Sequence, residues 1–216
     1  MTASDRTEII MTGPLMAYAA DQLKARFVVH ELWKAPDRSA LLRDVSARVR
    51  GVAAGGGHNR VDAALFDALP KLEIVSSFGV GYDHVDAAEA GRRGLVVTNT
   101  PDVLTDEVAD LALGLLIATV RQLPQVDRYL RAGKWLQGNY PLTTSLRGRK
   151  VGIVGLGRIG KAVAQRIEAF GLPVVYHGRT RQEDVAYRYY PSLVDMAADV
   201  DTLISVAPGG ASTHHI

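Results

Sequence analysis

Three closely spaced glycines constrain the fold of this 216-residue chain more than any other feature of its sequence. Gly155, Gly157 and Gly160 follow the apolar run 151–154, and an amphipathic segment, Arg158–Phe170, comes after them. A G-x-G-x-x-G spacing between a strand and a helix is typical of a turn that binds a dinucleotide pyrophosphate. The first glycine would permit the tight turn, the second would admit the pyrophosphate, and the third would let the helix pack on the strand.

The start of the helix after the glycines is the predicted phosphate site. Main-chain amides near Arg158 and Ile159 would bind the negatively charged phosphates. An ordinary glycine-rich turn without a ligand is the alternative, and the flanking strand and helix disfavour it. The motif therefore predicts a dinucleotide-binding unit in the second half of the chain.

The turn after the next strand indicates which dinucleotide is bound. An acidic residue about 20 positions beyond the motif would bind the ribose 2′-hydroxyl of NAD. That position falls at His177 or Gly178, and neither is acidic. Arg179, Thr180 and Arg181 follow, and two guanidinium groups can bind a 2′-phosphate through charge-assisted hydrogen bonds. The sequence thus favours NADP, with an exposed turn that merely carries two arginines as the alternative.

The alternation of apolar runs and helical patterns predicts the fold class. In the first hundred residues the candidate strands are Ile9–Met11, Phe27–His30, Gly51–Ala54, Ile74–Phe78 and Leu95–Thr98. The candidate helices between them are Leu15–Ala25, Ala40–Ala47, Asp62–Leu69 and Ala87–Arg93. The pattern resumes with strands Lys150–Val154, Pro173–His177 and Thr202–Val206 around the helix Arg158–Phe170. We predict an α/β protein with doubly wound parallel sheets.

One long helix is predicted from Thr105 to Arg121. Asp106 and Glu107 stand in its first turn, where the helix dipole favours acids, and Thr105 is the expected N-cap. The body of the helix is apolar nearly all round, so it must be covered on several sides. A subunit interface or a domain junction would cover it, and we predict a homodimer built on this helix.

Composition narrows the possible functions. The chain has no cysteine, which excludes disulfides, thiol nucleophiles and cysteine-ligated zinc, and which fits a cytoplasmic protein. The formal net charge of +2 gives no reason to expect a nucleic-acid partner. The most apolar run, Leu111–Val120, is about half as long as a membrane span. His214 and His215 lack a third ligand, so no metal is expected.

Several segments together resemble the D-2-hydroxyacid dehydrogenase family. They are 77–86, 99–110, 151–160 and 207–210. Within that family, segments 138–144, 177–181 and 186–191 look most like NADPH-dependent glyoxylate/hydroxypyruvate reductases. The resemblance extends over nearly the whole chain. It implies reduction of glyoxylate or hydroxypyruvate to a 2-hydroxy acid with hydride from NADPH.

The resemblance also implies a domain organisation and site residues. Residues 1–99 would form a flavodoxin-like, substrate-binding domain, and 100–216 a Rossmann NADP-binding domain that is incomplete at its C-terminus. The Val80–Gly81 turn would offer amides to the substrate carboxylate. Thr105 would lie beside the nicotinamide ribose and phosphates. Val206, Ala207 and Pro208 would line the coenzyme cleft.

The catalytic residues of the family are expected beyond Ile216. The resemblance implies an arginine that polarises the keto group and a histidine oriented by a glutamate, all after residue 216. His84 is the one histidine near the carboxylate turn, and local packing explains it better because no acidic partner is evident. Asp83 and Asp86 are expected to form a turn and a helix N-cap. We therefore expect residues 1–216 alone to bind NADP weakly and to be catalytically inactive.

Two alternative functions stay open at this stage. One is another 2-hydroxyacid dehydrogenase of the same family, because the arginine turn says nothing about substrate shape. The other is a non-catalytic, dimeric regulator that senses a dinucleotide. An arginine, a glutamate and a histidine downstream in the gene would favour the enzyme.

Overall fold

The computed structural model describes residues 6–55, 59–210 and 213–216. The chain divides into two compact units, Met1–Val103 (unit 1) and Leu104–Ile216 (unit 2). Each unit contains one parallel β-sheet. The predicted α/β class with two parallel sheets is therefore confirmed.

Unit 1 contains a five-stranded sheet in the order β2-β1-β3-β4-β5. Its strands are β1 (Glu8–Met11), β2 (Val28–Glu31), β3 (Val49–Gly55), β4 (Ile74–Phe78) and β5 (Val96–Thr98). Its helices are α1 (Ala17–Arg26), α2 (Arg38–Val45), α3 (Ala63–Ala68) and α4 (Ala87–Arg92). The strand order is that of flavodoxin-like sheets, in which the chain reverses direction between β1 and β3.

Aspartates begin two of the helices of unit 1. Asp86 accepts a hydrogen bond from the Glu89 amide at 2.9 Å, which confirms its predicted role as an N-cap. Asp37 accepts from the Ala40 amide at 2.9 Å in the same way and begins α2. Such caps satisfy amides that the first helical turn leaves without a partner.

Unit 2 contains a four-stranded sheet in the order β8-β7-β6-β9. Its strands are β6 (Val151–Val154), β7 (Val174–His177), β8 (Arg188–Tyr190) and β9 (Thr202–Ser205). Its helices are α5 (Thr105–Val120), α6 (Leu123–Arg131), α7 (Arg158–Ala169) and α8 (Leu193–Asp199). Every residue of β6 is buried, as expected for a central strand of a sheet that is covered on both faces.

Helix α5 packs against α7 and leaves part of its apolar surface exposed. Ala109 of α5 is fully buried in a cluster that includes Val163 of α7. Arg166 of α7 binds Asp106 of α5, with Nη2 and Oδ1 3.0 Å apart, and also binds Asp110. By contrast, the side chains of Leu111 and Leu115 are 62% and 58% exposed. Among the described residues, no helix has both the length and the apolar composition that a bilayer crossing needs.

Two features of unit 2 differ from the sequence prediction. Thr105 was expected as an N-cap, which is wrong: it is the first helical residue, and Leu104 takes the cap position without a side-chain hydrogen bond. The short strand β8 and helix α8 were not predicted. Ser192 caps α8 by accepting from the Asp195 amide at 3.2 Å.

Candidate functional site

Each glycine of the motif has a different structural reason to be glycine. Gly155 adopts a left-handed backbone with φ of 92°, and a Cβ there would lie 3.0 Å from the main-chain nitrogen of Ala207. Gly160 is buried, and a Cβ there would overlap the carbonyl oxygen of Gly155. Gly157 is exposed, and a Cβ there would meet no atom of the described chain within 4 Å. The first and third glycines are required by packing, whereas the second leaves open space.

The open space lies at the start of α7. Gly157 is the N-cap residue of this helix, which begins at Arg158 and continues with Ile159. The first turn of a helix leaves its amides without carbonyl partners inside the helix, and these amides favour anions. A phosphate could therefore approach the backbone where a side chain at position 157 would otherwise stand. The chain fits a pyrophosphate at the predicted position.

The segment after β9 lies beside the glycine loop. The Val206 amide donates to the carbonyl of Val154 at 2.9 Å, which continues the pairing of β6 and β9. Ala207 follows against Gly155, and Pro208 is exposed. The sheet order places β6 and β9 at the point where the chain reverses direction across the sheet. Ligands of such sheets bind in the crevice beyond the carboxyl ends of these strands.

The arginine turn follows β7, the other neighbour of β6. Arg179, Thr180 and Arg181 are all exposed. Within the described part of the chain, the side chain of Arg179 has no hydrogen-bond or ion-pair partner. Arg181 Nε lies 3.7 Å from Glu183 Oε1, and both side chains are largely exposed, so this pair is weak. Both guanidinium groups are therefore available to an anionic ligand.

Gln182 connects the arginine turn to the glycine loop, a role that no sequence motif indicates. Its side-chain Nε2 donates to the carbonyl of Leu156 at 2.6 Å. Its main-chain amide donates to the hydroxyl of the fully buried Tyr176 at 2.7 Å. At the other end of the turn, the carbonyl of Gly178 accepts from Tyr189 Oη at 3.1 Å. These bonds fix the backbone of the turn while the two arginine side chains remain exposed.

An acidic residue just beyond the turn is neutralised by a lysine. Asp184 Oδ2 lies 2.7 Å from Lys161 Nζ of α7. The hydrogen bond from Lys161 holds the pKa of Asp184 below its ordinary value. This pairing directs the aspartate toward α7 and offsets its repulsion of a phosphate.

The Val80–Gly81 turn of unit 1 presents two main-chain amides. Asn99 Nδ2 donates to the carbonyl of Val80 at 2.8 Å, and the Thr100 amide donates to the carbonyl of Gly79 at 2.9 Å. These bonds fix the carbonyl side of the turn. Within the described ranges, the amides of Val80 and Gly81 donate to no acceptor, and Gly81 is exposed. Adjacent free amides form an anion-binding concavity.

His84 makes local contacts, as predicted. Its Nε2 lies 3.4 Å from the hydroxyl of Ser77, which is buried, and its carbonyl accepts from the Val61 amide at 2.9 Å. Thr105 stands at the start of α5, where its place beside the nicotinamide ribose stays a prediction.

A histidine–glutamate pair that no sequence motif indicates lies elsewhere in unit 1. His30 Nε2 lies 2.8 Å from Glu8 Oε2, and Arg48 Nε donates to Glu8 Oε1 at 2.7 Å. Burial acts to raise the pKa of Glu8, but the hydrogen bonds from His30 and Arg48 outweigh it and leave the pKa below its ordinary value. Glu8 begins β1, so the pair lies toward the amino end of the sheet, away from the edge where ligands bind. Its role is therefore structural.

Known proteins resemble this chain over most of its length. The family model of the D-isomer specific 2-hydroxyacid dehydrogenase NAD binding domain matches residues 113–216. The chain is 47% identical over 208 residues to glyoxylate/hydroxypyruvate reductase A of Arabidopsis thaliana, covering 96% of this chain and 66% of that protein. A crystal structure of a 2-hydroxyacid dehydrogenase from Ketogulonicigenium vulgare is 40% identical with a TM-score of 0.89, covering 98% of this chain and 67% of that one.

The chain belongs to the D-isomer specific 2-hydroxyacid dehydrogenase family. It is also similar to the NADPH-dependent glyoxylate/hydroxypyruvate reductase of Sinorhizobium meliloti, solved in complex with NADP and malonate. The identity to that structure is 46% and the TM-score is 0.83, covering 96% of this chain and 64% of that one. The chain thus spans about two thirds of the length of the relatives that it matches.

Two glycine substitutions in this family member separate ligand binding from packing. We expect Gly157→Ala to leave the free energy of unfolding nearly unchanged, because its Cβ meets open space, and to weaken dinucleotide binding. We expect Gly160→Ala to destabilise unit 2 by about 1–3 kcal/mol, because its Cβ overlaps main-chain atoms. Urea unfolding and cofactor titration measure the two effects. Equal effects of both variants on stability would contradict this assignment.

The Gln182 tether predicts an effect on cofactor selectivity. Gln182→Leu keeps most of the side-chain volume but loses the bond to Leu156, so the arginine turn is less well held. We expect the Kd for NADPH to rise about three- to tenfold while the Kd for NADH changes little. Gln125→Leu on α6 is the matched control. An equal rise in the Kd for NADPH and in the Kd for NADH would mean that Gln182 stabilises the glycine loop and does not determine cofactor selectivity.

Proposed function

We propose that the protein reduces glyoxylate or hydroxypyruvate to the corresponding 2-hydroxy acid with NADPH. The relatives from Arabidopsis thaliana and Sinorhizobium meliloti carry that activity in their names and support the proposal. One observation in the structure supports NADPH over NADH as the cofactor. The turn after β7 has no carboxylate at the ribose position and presents two exposed arginines, Arg179 and Arg181.

The residues of unit 2 would bind and orient the cofactor. The amides at the start of α7 would hold the pyrophosphate beside Gly157, and Arg179 and Arg181 would hold the 2′-phosphate of the adenosine ribose. Val206 and Ala207 would line the cleft beyond β9. When bound, NADPH supplies the hydride, and the protein supplies orientation and electrostatics.

The residues of unit 1 would hold the substrate. The free amides of Val80 and Gly81 would bind the carboxylate of the 2-keto acid, a group that glyoxylate and hydroxypyruvate share. These main-chain amides do not titrate near neutral pH, so they would donate hydrogen bonds to the carboxylate at any pH at which the enzyme works. We further propose that the arginine, glutamate and histidine of the family's catalytic set lie outside residues 1–216.

We also propose that the protein is a homodimer built on α5. The exposed leucines of this helix, Leu111 and Leu115, support an apolar partner surface. The cytoplasmic location expected from the lack of cysteine stays a prediction.

A double substitution tests the cofactor assignment. In Arg179→Ala/Arg181→Ala we expect the Kd for NADPH to rise about 10- to 100-fold, because charge-assisted hydrogen bonds to the 2′-phosphate are lost. The Kd for NADH should stay within about twofold, because NADH lacks that phosphate. Arg26→Ala/Arg43→Ala, which removes two exposed arginines of unit 1, controls for the change in net charge. Equal losses with both cofactors would refute the assignment.

The substrate assignment needs a separate measurement. The protein that carries this chain should oxidise NADPH with glyoxylate and with hydroxypyruvate. If the protein oxidised NADPH with another 2-keto acid but with neither glyoxylate nor hydroxypyruvate, the cofactor assignment would stand and the substrate assignment would be wrong.

A further inference from the structure

A small cavity in unit 1 has no role in the proposed reaction. Its volume is about 280 Å³, and it lies at the carboxyl end of β1. It is lined by Thr12, Leu32, Arg38, Asn59, Arg60 and Leu65. Two leucines, two cations, an amide and a hydroxyl thus converge on one space.

The hydroxyl of Thr12 is the most unusual of these groups. Thr12 is 2% exposed, and its main-chain amide donates to the carbonyl of Ala53 at 3.1 Å. Its Oγ1 is buried and has no hydrogen-bond partner among the residues that the structure describes. Buried hydroxyls are nearly always paired, so an unpaired one that lines a cavity points to a ligand or to an ordered water.

The two arginines are also unpaired. Arg38 begins α2, Arg60 lies in the segment before α3, and both are exposed. Neither makes an ion pair within the described part of unit 1. Other arginines of the same unit do: Arg48 binds Glu8, and Arg93 binds Glu89. Two unpaired guanidinium groups around one cavity favour a negatively charged group between them.

Close packing of two loops builds the cavity. A Cβ on Gly13 would lie 2.7 Å from Asn59 Nδ2, and a Cβ on Gly55 would lie 2.9 Å from the carbonyl oxygen of Pro14. The segment after β1 therefore approaches Gly55 and Asn59 more closely than any other residue at positions 13 and 55 would permit. This approach places Asn59 beside the cavity.

The position in the sheet is one where ligands bind. In the order β2-β1-β3-β4-β5 the chain reverses direction between β1 and β3, and Thr12 and Asn59 follow these two strands. Parallel α/β sheets bind ligands at the carboxyl ends of the strands at such a reversal. The Val80–Gly81 turn follows β4, so it is a different part of the same edge.

We propose that this cavity binds the carboxylate or phosphate group of a small metabolite. Arg38 and Arg60 donate guanidinium N–H groups to its oxygens, Asn59 donates an amide N–H, and the hydroxyl of Thr12 donates from the buried end. The small volume suits an acid of a few heavy atoms, whose short apolar part would contact Leu32 or Leu65. This binding is separate from the proposed reductase activity and does not depend on it.

Calorimetric titration of the purified protein with inorganic phosphate, and separately with malonate, tests the proposal. We expect at least one of the two anions to bind. Arg38→Gln/Arg60→Gln should weaken that binding at least tenfold, since two charge-assisted contacts are lost. Arg43→Gln, an exposed arginine of the same helix α2, is the matched control and should bind as the unmodified protein does. A preference for phosphate or for malonate tells which of the two groups the natural ligand carries.

Saturating NADPH and one further variant distinguish this cavity from the cofactor site. NADPH would fill the proposed cofactor site and should leave the binding of phosphate or malonate in this cavity unchanged; loss of anion binding in the presence of NADPH would place the anion in the cofactor site and overturn the proposal. Thr12→Val replaces the hydroxyl with a methyl group of similar size, and we expect at least threefold weaker anion binding. Because the hydroxyl has no partner within the described chain, we expect no loss of stability in urea unfolding. The proposal would also be overturned if the unmodified protein bound neither anion. It would be overturned equally if Thr12→Val or Arg38→Gln/Arg60→Gln bound the anion as tightly as the unmodified protein. Thr12 would then bind an ordered water.

Discussion

The close approach of two main-chain segments around Gly155 determines the geometry of the cofactor site. Gly155 turns left-handed directly after β6, its backbone lies against Ala207, and Gly160 packs on its carbonyl. No side chain fits at either glycine. Because β6 pairs with β7 on one side and β9 on the other, the loops after all three strands meet beside this turn. The open backbone at Gly157, the arginine turn and the segment after β9 all depend on that convergence.

Charge placement then decides which dinucleotide fits. The glycine loop offers amides that any pyrophosphate can use, so it does not discriminate. We propose that discrimination comes from Arg179 and Arg181 and from the absence of a carboxylate at the end of β7. Gln182 holds that turn against the glycine loop through Leu156. The arginine side chains are exposed while hydrogen bonds hold the backbone of the turn, so ligand binding has to order these side chains but not the backbone.

The sequence predicted those structural features that depend on residues adjacent in the chain. The bounds of β4, the glycine turn and the Asp86 cap follow from residues adjacent in sequence. The Gln182–Leu156 bond, the unpaired Thr12 hydroxyl and the His30–Glu8 pair join or depend on residues far apart in sequence, so no spacing revealed them. Strand β8 is three residues long, too short for a periodic signal. Thr105 was wrongly expected as a cap because its side chain suits that position, whereas the helix begins one residue earlier.

The central claim is that the site after β7 recognises a 2′-phosphate. It is tested most directly by calorimetric titration of the unmodified protein with adenosine 2′,5′-bisphosphate and with adenosine 5′-monophosphate. These fragments differ only in the 2′-phosphate, so the comparison isolates the contacts of Arg179 and Arg181. We predict that the bisphosphate binds at least about tenfold more tightly, as charge-assisted hydrogen bonds require. Equal affinities, or tighter binding of the monophosphate, would contradict the account.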